Sequence, residues 1–250
     1  MKYNICVPIQ VKSVNLSDTT PTIKKVVGLN PNLIELRLDY IKDVQMITKD
    51  FIISLLRYIN PKIPVICTLR DSNEGGQVKL DINQRFQIIK LIIEAEPNYI
   101  DIEINTEKSV LNEIIHLVKQ HKINLIFSYH DFQKTPTYSE ASNLLDRFFE
   151  KLVNEMNIDS KTIEQSIFKL VFTAHSFEDN LVPLKLCKEK TSKKQRLISF
   201  CMDDLGLFSR IFSIFSGSFL TYGSFEEKTA SGQMPMSEIR AILKLLNFSS

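Results

Sequence analysis

Strand-like and helix-like apolar runs alternate eight times along this chain, and that alternation limits its possible folds more than any single residue does. Runs rich in Ile, Val, Leu, Phe and Tyr fall at YNICVPI (3–9), LIELRLD (33–39), PVICTLR (64–70), YIDIEIN (99–105), INLIFSYH (123–130), IFKLVFTA (167–174), RLISFCM (196–202) and SFLTYG (218–223). Between them lie longer stretches with apolar residues three and four apart, among them ITKDFIISLLRYI, INQRFQIIKLIIEAE, KSVLNEIIHLVKQH, SEASNLLDRFFEKLVNEM and LGLFSRIFSIFS. Strand then helix, repeated, predicts a parallel sheet, because parallel strands need a crossover and a helix is the usual one. Eight such repeats in 250 residues, with no Pro/Gly/Ser-rich linker, fit one closed (β/α)8 TIM barrel over residues 1–250 better than an open doubly wound sheet.

Composition closes off other classes. Hydrophobic residues make up 44% and charged residues 24% of the chain, an ordinary balance for a packed globular protein and not for a disordered one. Lys and Arg (31) nearly cancel Asp and Glu (29), leaving +2, so nothing marks a surface for nucleic acid or an anionic membrane, and a small molecule is the expected partner. Cys6, Cys67, Cys187 and Cys201 are scattered without CxxC spacing, and three sit in apolar runs, which suits buried thiols rather than a metal site or disulfides. The N-terminal MKYNICVPIQ runs almost directly into a strand, and no apolar stretch approaches the roughly 18 residues of a membrane span. A cytoplasmic location is expected.

Two polar segments read as loops. CKEKTSKKQR (187–196) is a charge run, taken as the solvated end of a helix with no function. DSNEGGQ (71–77) follows a strand at its C-terminal end, where barrel enzymes place their chemistry, and its adjacent Gly75 and Gly76 point to a loop that bends sharply or moves.

Several strands carry charge on one face. Period-two alternation puts Glu35, Arg37 and Asp39 together, Asp101 with Glu103 and Asn105, and Ser128 with His130; Arg70 ends another strand and Lys169 interrupts the apolar Phe168, Leu170, Val171 and Phe172. Such charges need partners inside a packed sheet, and ion pairs such as Glu35 with Arg37, or Asp101 with a neighbour, can serve only to fix strand register. So many ionisable groups from different strands, converging on one end, also suit a reaction centre.

A lysine there has a specific use. Desolvation and nearby cations lower its pKa and free an amine that can attack a carbonyl to form a Schiff base. The protonated imine acidifies the neighbouring C–H, and His130 has the pKa range for the general base that removes it. Pairing of Lys169 with a strand carboxylate, and a purely local hydrogen bond for His130, remain open. Arg37, Arg70 and Arg210 are natural forks for a carboxylate or hydroxyls, so an anionic, oxygen-rich carbonyl compound is expected as substrate.

The ordered set ELRLD, TLRDSNEGG, DIE, SYHDF, a lone strand lysine, MDDLGLFSR and TYG followed by ASGQ resembles the type I 3-dehydroquinate dehydratases across nearly the whole chain. The resemblance implies a (β/α)8 barrel that converts 3-dehydroquinate to 3-dehydroshikimate in the shikimate pathway without metal or cofactor. It implies Lys169 as Schiff-base nucleophile, His130 as general acid and base, and Glu74 as the carboxylate that orients this histidine. It also implies substrate contacts from Glu35, Arg37 and Arg70, a carboxylate grip from Arg210, packing from Met202, and a closing last loop with Thr229 and Gln233.

Relatives usually read Ser-Ala-Pro-Gly-Gln in that last loop, where this chain has Thr229, Ala230, Ser231, Gly232 and Gln233; the hydroxyl survives but the proline is lost, which frees the backbone. Many also carry serine where Pro8 stands, removing a contact from the first strand. Bacterial relatives imply a homodimer, and FSRIFSIFSGSF reads as a core helix or a partner-facing one. No fused shikimate dehydrogenase domain is expected. The rivals are another Schiff-base barrel, such as an aldolase, and a non-catalytic metabolite-binding barrel. Absence of a Gly-rich phosphate loop speaks against the first, and joint retention of Lys169, His130 and Glu74 against the second.

Overall fold

A computed structural model describes residues 3–227 and 229–246. The single domain expected over 1–250 also takes in residues 1, 2, 228 and 247–250, which lie outside the described residues. All eight expected strands form: β1 Ile5–Gln10, β2 Leu33–Arg37, β3 Val65–Thr68, β4 Tyr99–Glu103, β5 Asn124–His130, β6 Ile167–Thr173, β7 Arg196–Met202 and β8 Thr221–Tyr222. They make one sheet in the order β7-β6-β5-β4-β3-β2-β1-β8, consecutive as the (β/α)8 class requires. The helices are α1 Leu16–Gly28, α2 Lys49–Arg57, α3 Ile82–Glu94, α4 Lys108–Gln120, α5 Tyr138–Glu150, α6 Ser160–Gln165, α7 Leu181–Ser192, α8 Leu207–Phe212 and α9 Met236–Leu245. Among the described residues no helix is long and apolar enough to cross a membrane.

The chain divides into two compact units, Cys6–Ile126 and Met1–Ile5 with Phe127–Ser250. In the first, β1 to β4 pair in parallel, and β2 and β3 are buried along their whole length. Strands covered on both faces read as continuous apolar runs, so the charges in β2 stand out. The helices start where the sequence supplies caps. Thr48 accepts from the Phe51 N–H ahead of α2, and Asp81 forms a capping box with Gln84 ahead of α3, each worth about 1 kcal/mol. Helix α4 buries Leu111, Ile114, Ile115 and Val118, the stripe expected from three- and four-residue spacing.

In the second unit β6 and β7 pair in parallel over seven positions, and β6 is buried throughout. Thr137 and Glu140 form the capping box of α5, whose Phe148 joins Phe127 and Phe168 in an aromatic core with ring centroids 5.2 and 6.1 Å away. The long stretch 139–156 is not one regular helix, since α5 passes into a π-helical turn at Lys151–Glu155. The charge run 187–196 is the last part of α7 and its turn into β7, as expected, with one correction. Lys190 is buried and its Nζ pairs with Asp146 at 2.8 Å, so part of this run is packed rather than solvated.

Candidate active site

In the first unit the expected ionic residues gather at the C-terminal ends of β2, β3 and β4. Glu35 is 3% exposed and accepts from Thr68 Oγ1 at 2.7 Å. Pro8 is its register partner on β1 and supplies no side-chain donor. Arg37 does not pair with Glu35. The chain leaves β2 after Arg37 into a 3-10 turn at Leu38–Tyr40, which swings Asp39 onto the guanidinium at 2.8 Å from both Nε and Nη2. Burial works against the Arg37 cation, but Asp39 and the field of Glu35 hold its pKa above the ordinary value.

Arg70 is buried between two carboxylates, with Nη2 2.8 Å from Asp101 and Nη1 2.6 Å from Glu103. Burial again opposes the charge, and Asp101 and Glu103 outweigh it, so the cation is held well above its usual pKa. Glu103 is shared with Arg85 of α3, which also donates to the Leu69 carbonyl. The register-fixing role weighed for Asp101 and Glu103 is therefore present. Both terminal nitrogens of Arg70 are neutralised locally, which suits contact with hydroxyls better than capture of a second anion.

The segment after β3 bends as its glycines require. Asp71 caps a 3-10 turn at Ser72–Glu74, Gly75 follows at φ 86°, and a Cβ on Gly76 would overlap the Arg70 carbonyl. This tight turn buries Glu74 and brings its Oε1 within 3.3 Å of Asn105 Nδ2.

In the second unit, the N–H of Asp131, just after His130, donates to the Val171 carbonyl at 2.9 Å, so the end of β5 lies along the part of β6 that carries Lys169. Thr173 and Thr135 lace the following loop to the same strand, through Thr173 Oγ1 to Asp131 O at 2.9 Å and Thr135 Oγ1 to Thr173 O at 2.8 Å. Half-buried His130 stacks loosely on Phe132. Lys169 is 5% exposed, with Nζ 4.9 Å from the Tyr222 ring centroid. Tyr222 meets Phe200 edge to face at 6.0 Å, and Phe200 carries the Arg210 guanidinium 4.4 Å above its ring. The Lys169 amine and the Arg210 guanidinium thus stand at the two ends of one aromatic pair.

Arg210 differs from the other two arginines. It is 1% exposed, donates from Nη2 to the Ser231 carbonyl at 3.1 Å, and leaves Nε without a hydrogen-bond partner. Among the described residues no carboxylate pairs with it, and burial pushes its pKa down to about 10. Ser209 and Asn180 fix its helix, since the Cys201 N–H donates to Ser209 Oγ at 2.9 Å and the Ser209 N–H to Asn180 Oδ1 at 2.9 Å. Met202 is buried at the end of β7. In the last loop the Thr229 N–H donates to Gln233 Oε1 at 2.9 Å and Gln233 Nε2 donates back to Thr229 Oγ1 at 3.0 Å, so the two predicted residues hold each other.

The sequence did not point to Arg85, Asn180, Ser209 or Phe200, whose roles depend on contacts far along the chain. In the first unit Arg37 lies within the fields of Glu35 and Arg70, and Arg70 within that of Glu74; in the second, Lys169 and Arg210 share the Tyr222–Phe200 pair, Arg210 reaches the last loop at Ser231, and Thr229 and Gln233 bond each other. The second set supplies a buried amine, an imidazole and an uncompensated cation, which suits a carbonyl compound that carries a carboxylate. Among the described residues no group of three or more His, Cys, Asp or Glu is placed to hold a metal ion.

A family model described as type I 3-dehydroquinase matches residues 5–250. The 3-dehydroquinate dehydratase of Pyrococcus abyssi is 31% identical over 237 residues, covering 94% of this chain and 98% of its own length. That of Methanococcus maripaludis strain C7 is 31% identical over 246 residues, covering 97% and 99%. Among solved structures, the type I 3-dehydroquinate dehydratase of Clostridium difficile with covalently modified comenic acid superposes with a TM-score of 0.84 at 27% identity, over 98% of this chain and 92% of that one. The (β/α)8 class expected from the sequence is the class of this neighbour.

Proposed function

Since the chain belongs to the type I 3-dehydroquinase family, hydro-lyases of the shikimate pathway, we propose that it dehydrates 3-dehydroquinate to 3-dehydroshikimate through a Schiff base on Lys169. The Lys169 amine adds to the ring ketone and water leaves as the imine forms. His130 removes a proton beside the imine carbon, then returns it to the departing hydroxyl, which leaves as a second water. Hydrolysis of the conjugated imine consumes one water and frees the product, so one water is lost overall.

The observation that carries this reading is Arg210, a buried guanidinium with an open Nε in the same unit as Lys169. On the family likeness it takes the substrate carboxylate, whereas Arg37 and Arg70, already neutralised by neighbouring carboxylates, and Glu35 take the ring hydroxyls. Glu74 fills the role of the carboxylate that tunes the histidine, Met202 packs against the ring, and Thr229 and Gln233 close the last loop. On the same family likeness we take residues 1–250 as one catalytic domain, active in the cytoplasm as a homodimer. Exposed Phe177, Leu181 and Leu205, with the Phe177 ring 5.0 Å from Phe208, supply an apolar face for such a dimer, and sedimentation velocity decides its presence.

The deciding experiment follows the ultraviolet absorbance of the conjugated enone after 3-dehydroquinate is added in metal-free buffer. Absorbance rises with the wild type and stays flat with Lys169→Met. Activity of that variant within a few-fold of wild type would remove the nucleophile assignment. No rise with folded wild-type protein would move the reading to another carbonyl substrate, and borohydride trapping at Lys169 would then separate a different Schiff-base enzyme from a binding barrel.

A further inference from the structure

Asp39 has no role in the chemistry above, yet it joins two parts of the first unit's site. It is 0% exposed and sits two residues beyond β2, in the middle of the 3-10 turn Leu38–Tyr40. Four donors converge on its two oxygens. Oδ1 accepts from Arg37 Nε at 2.8 Å and from the Arg70 N–H at 3.5 Å; Oδ2 accepts from Arg37 Nη2 at 2.8 Å and from the Gln77 N–H at 3.3 Å.

The first pair of contacts is a fork-to-fork ion pair, which fixes the plane of the guanidinium as well as its place. With Nε and Nη2 held, and the Tyr40 ring 5.2 Å from the guanidinium carbon, the Nη1 edge of Arg37 is the one left for a substrate oxygen. The second pair comes from the backbone at the two ends of the 71–76 segment that carries Glu74. One carboxylate therefore sets the orientation of a binding arginine and ties both ends of the turn that buries a second site residue.

We propose that Asp39 is a positioning residue for the reaction, acting on substrate binding through Arg37 and on turnover through the Glu74 segment. This rests on the reading that Arg37 contacts substrate. In Asp39→Asn the side chain keeps its size but has only one acceptor oxygen. For that variant KM rises about tenfold or more, as expected when a charge-assisted fork is lost, and kcat falls several-fold because the Gln77 tie is also gone.

The same substitution made in an Arg37→Met background separates the two actions. There the KM effect of Asp39→Asn vanishes, since the arginine it orients is absent, while the kcat effect remains. A merely structural carboxylate would lower the melting temperature and leave this split unseen. Wild-type KM in folded Asp39→Asn, or a KM effect that persists undiminished in the Arg37→Met background, overturns the proposal. Wild-type KM in Arg37→Met itself overturns the premise that Arg37 meets substrate, a different failure. If Asp39→Asn does not fold, Arg37→Lys keeps the charge and loses the fork; it raises KM in the same way, and wild-type KM there also overturns the proposal.

Discussion

Three arginines read alike in the sequence, and the structure separates them by what they touch. The partners that neutralise Arg70 lie in another strand, Glu103 being 33 residues away, so no local pattern could show that Arg210 alone of the three has no carboxylate partner among the described residues. Lys169 was legible because four apolar neighbours surround it, whereas Arg210 sits in an unremarkable amphipathic run. Holding that cation in the fold is unfavourable. Its folded pKa of about 10 lies below the ordinary 12.5, so between those values the unfolded chain binds more protons and stability rises with pH; at pH 7 the full penalty, on the order of 3 kcal/mol, is present. Arg210→Met therefore stabilises the ligand-free protein by on the order of 1 kcal/mol once lost packing is counted, raising its melting temperature, while KM rises about tenfold to a hundredfold. Thermal denaturation with and without substrate checks both, since the variant should also lose stabilisation by substrate. A variant less stable than wild type would mean that the Phe200 face and the Ser231 carbonyl already offset the burial.

At the scale of elements, side-chain periodicity located the strands but not how far each one pairs. The run 218–223 shrinks to the two residues of β8, and 205–216 becomes α8 followed by a 3-10 turn at Ser213–Ser216. Backbone pairing decides those limits, and apolar spacing does not report it. The same blindness hid the buried Lys190, whose partner Asp146 is 44 residues away. The last loop shows most clearly what depends on backbone alone. Gly232 has φ +71°, and a Cβ there would overlap the Asp203 carbonyl, while Asp203 itself lies at φ 63° and ψ 175°, a region nearly reserved for glycine. The loop is seated against a strained residue next to Met202, and the seat has no room for a side chain. Gly232→Ala, at a buried position with no room for a Cβ, should lower kcat/KM at least about tenfold by unseating Thr229 and Gln233, while the melting temperature falls only by what this one loop contributes to global stability. Steady-state kinetics beside a thermal melt reads both. Unchanged kinetics would show that the seat plays no part in turnover.

For the molecule as a whole, the alternation of eight strands and helices was enough to name the class, and what it left undetermined is how independently the two compact units behave. Their boundary between Ile126 and Phe127 falls inside β5, with side chains 0% and 1% exposed, and the other boundary falls inside β1. Neither place resembles a linker. Chemical denaturation should therefore give one transition, the same by circular dichroism and by tyrosine fluorescence, whereas two separated transitions would contradict a single domain. The buried thiols expected from the sequence offer a finer view of the same question. Cys6 on β1 and Cys67 on β3 belong to one unit, Cys187 on α7 and Cys201 on β7 to the other, and all four are buried thiols outside any disulfide. Burial pushes the thiols of Cys67 and Cys187 up to about 12 and raises that of Cys201 too, so in the folded protein these three offer an alkylating reagent neither access nor thiolate, and buried Cys6 offers no access. Every alkylated cysteine is then the record of an opening event, dated by the length of the reagent pulse and assigned to one half by its peptide mass. The protein carries its own pair of reporters in each half, without a label having to be engineered into either.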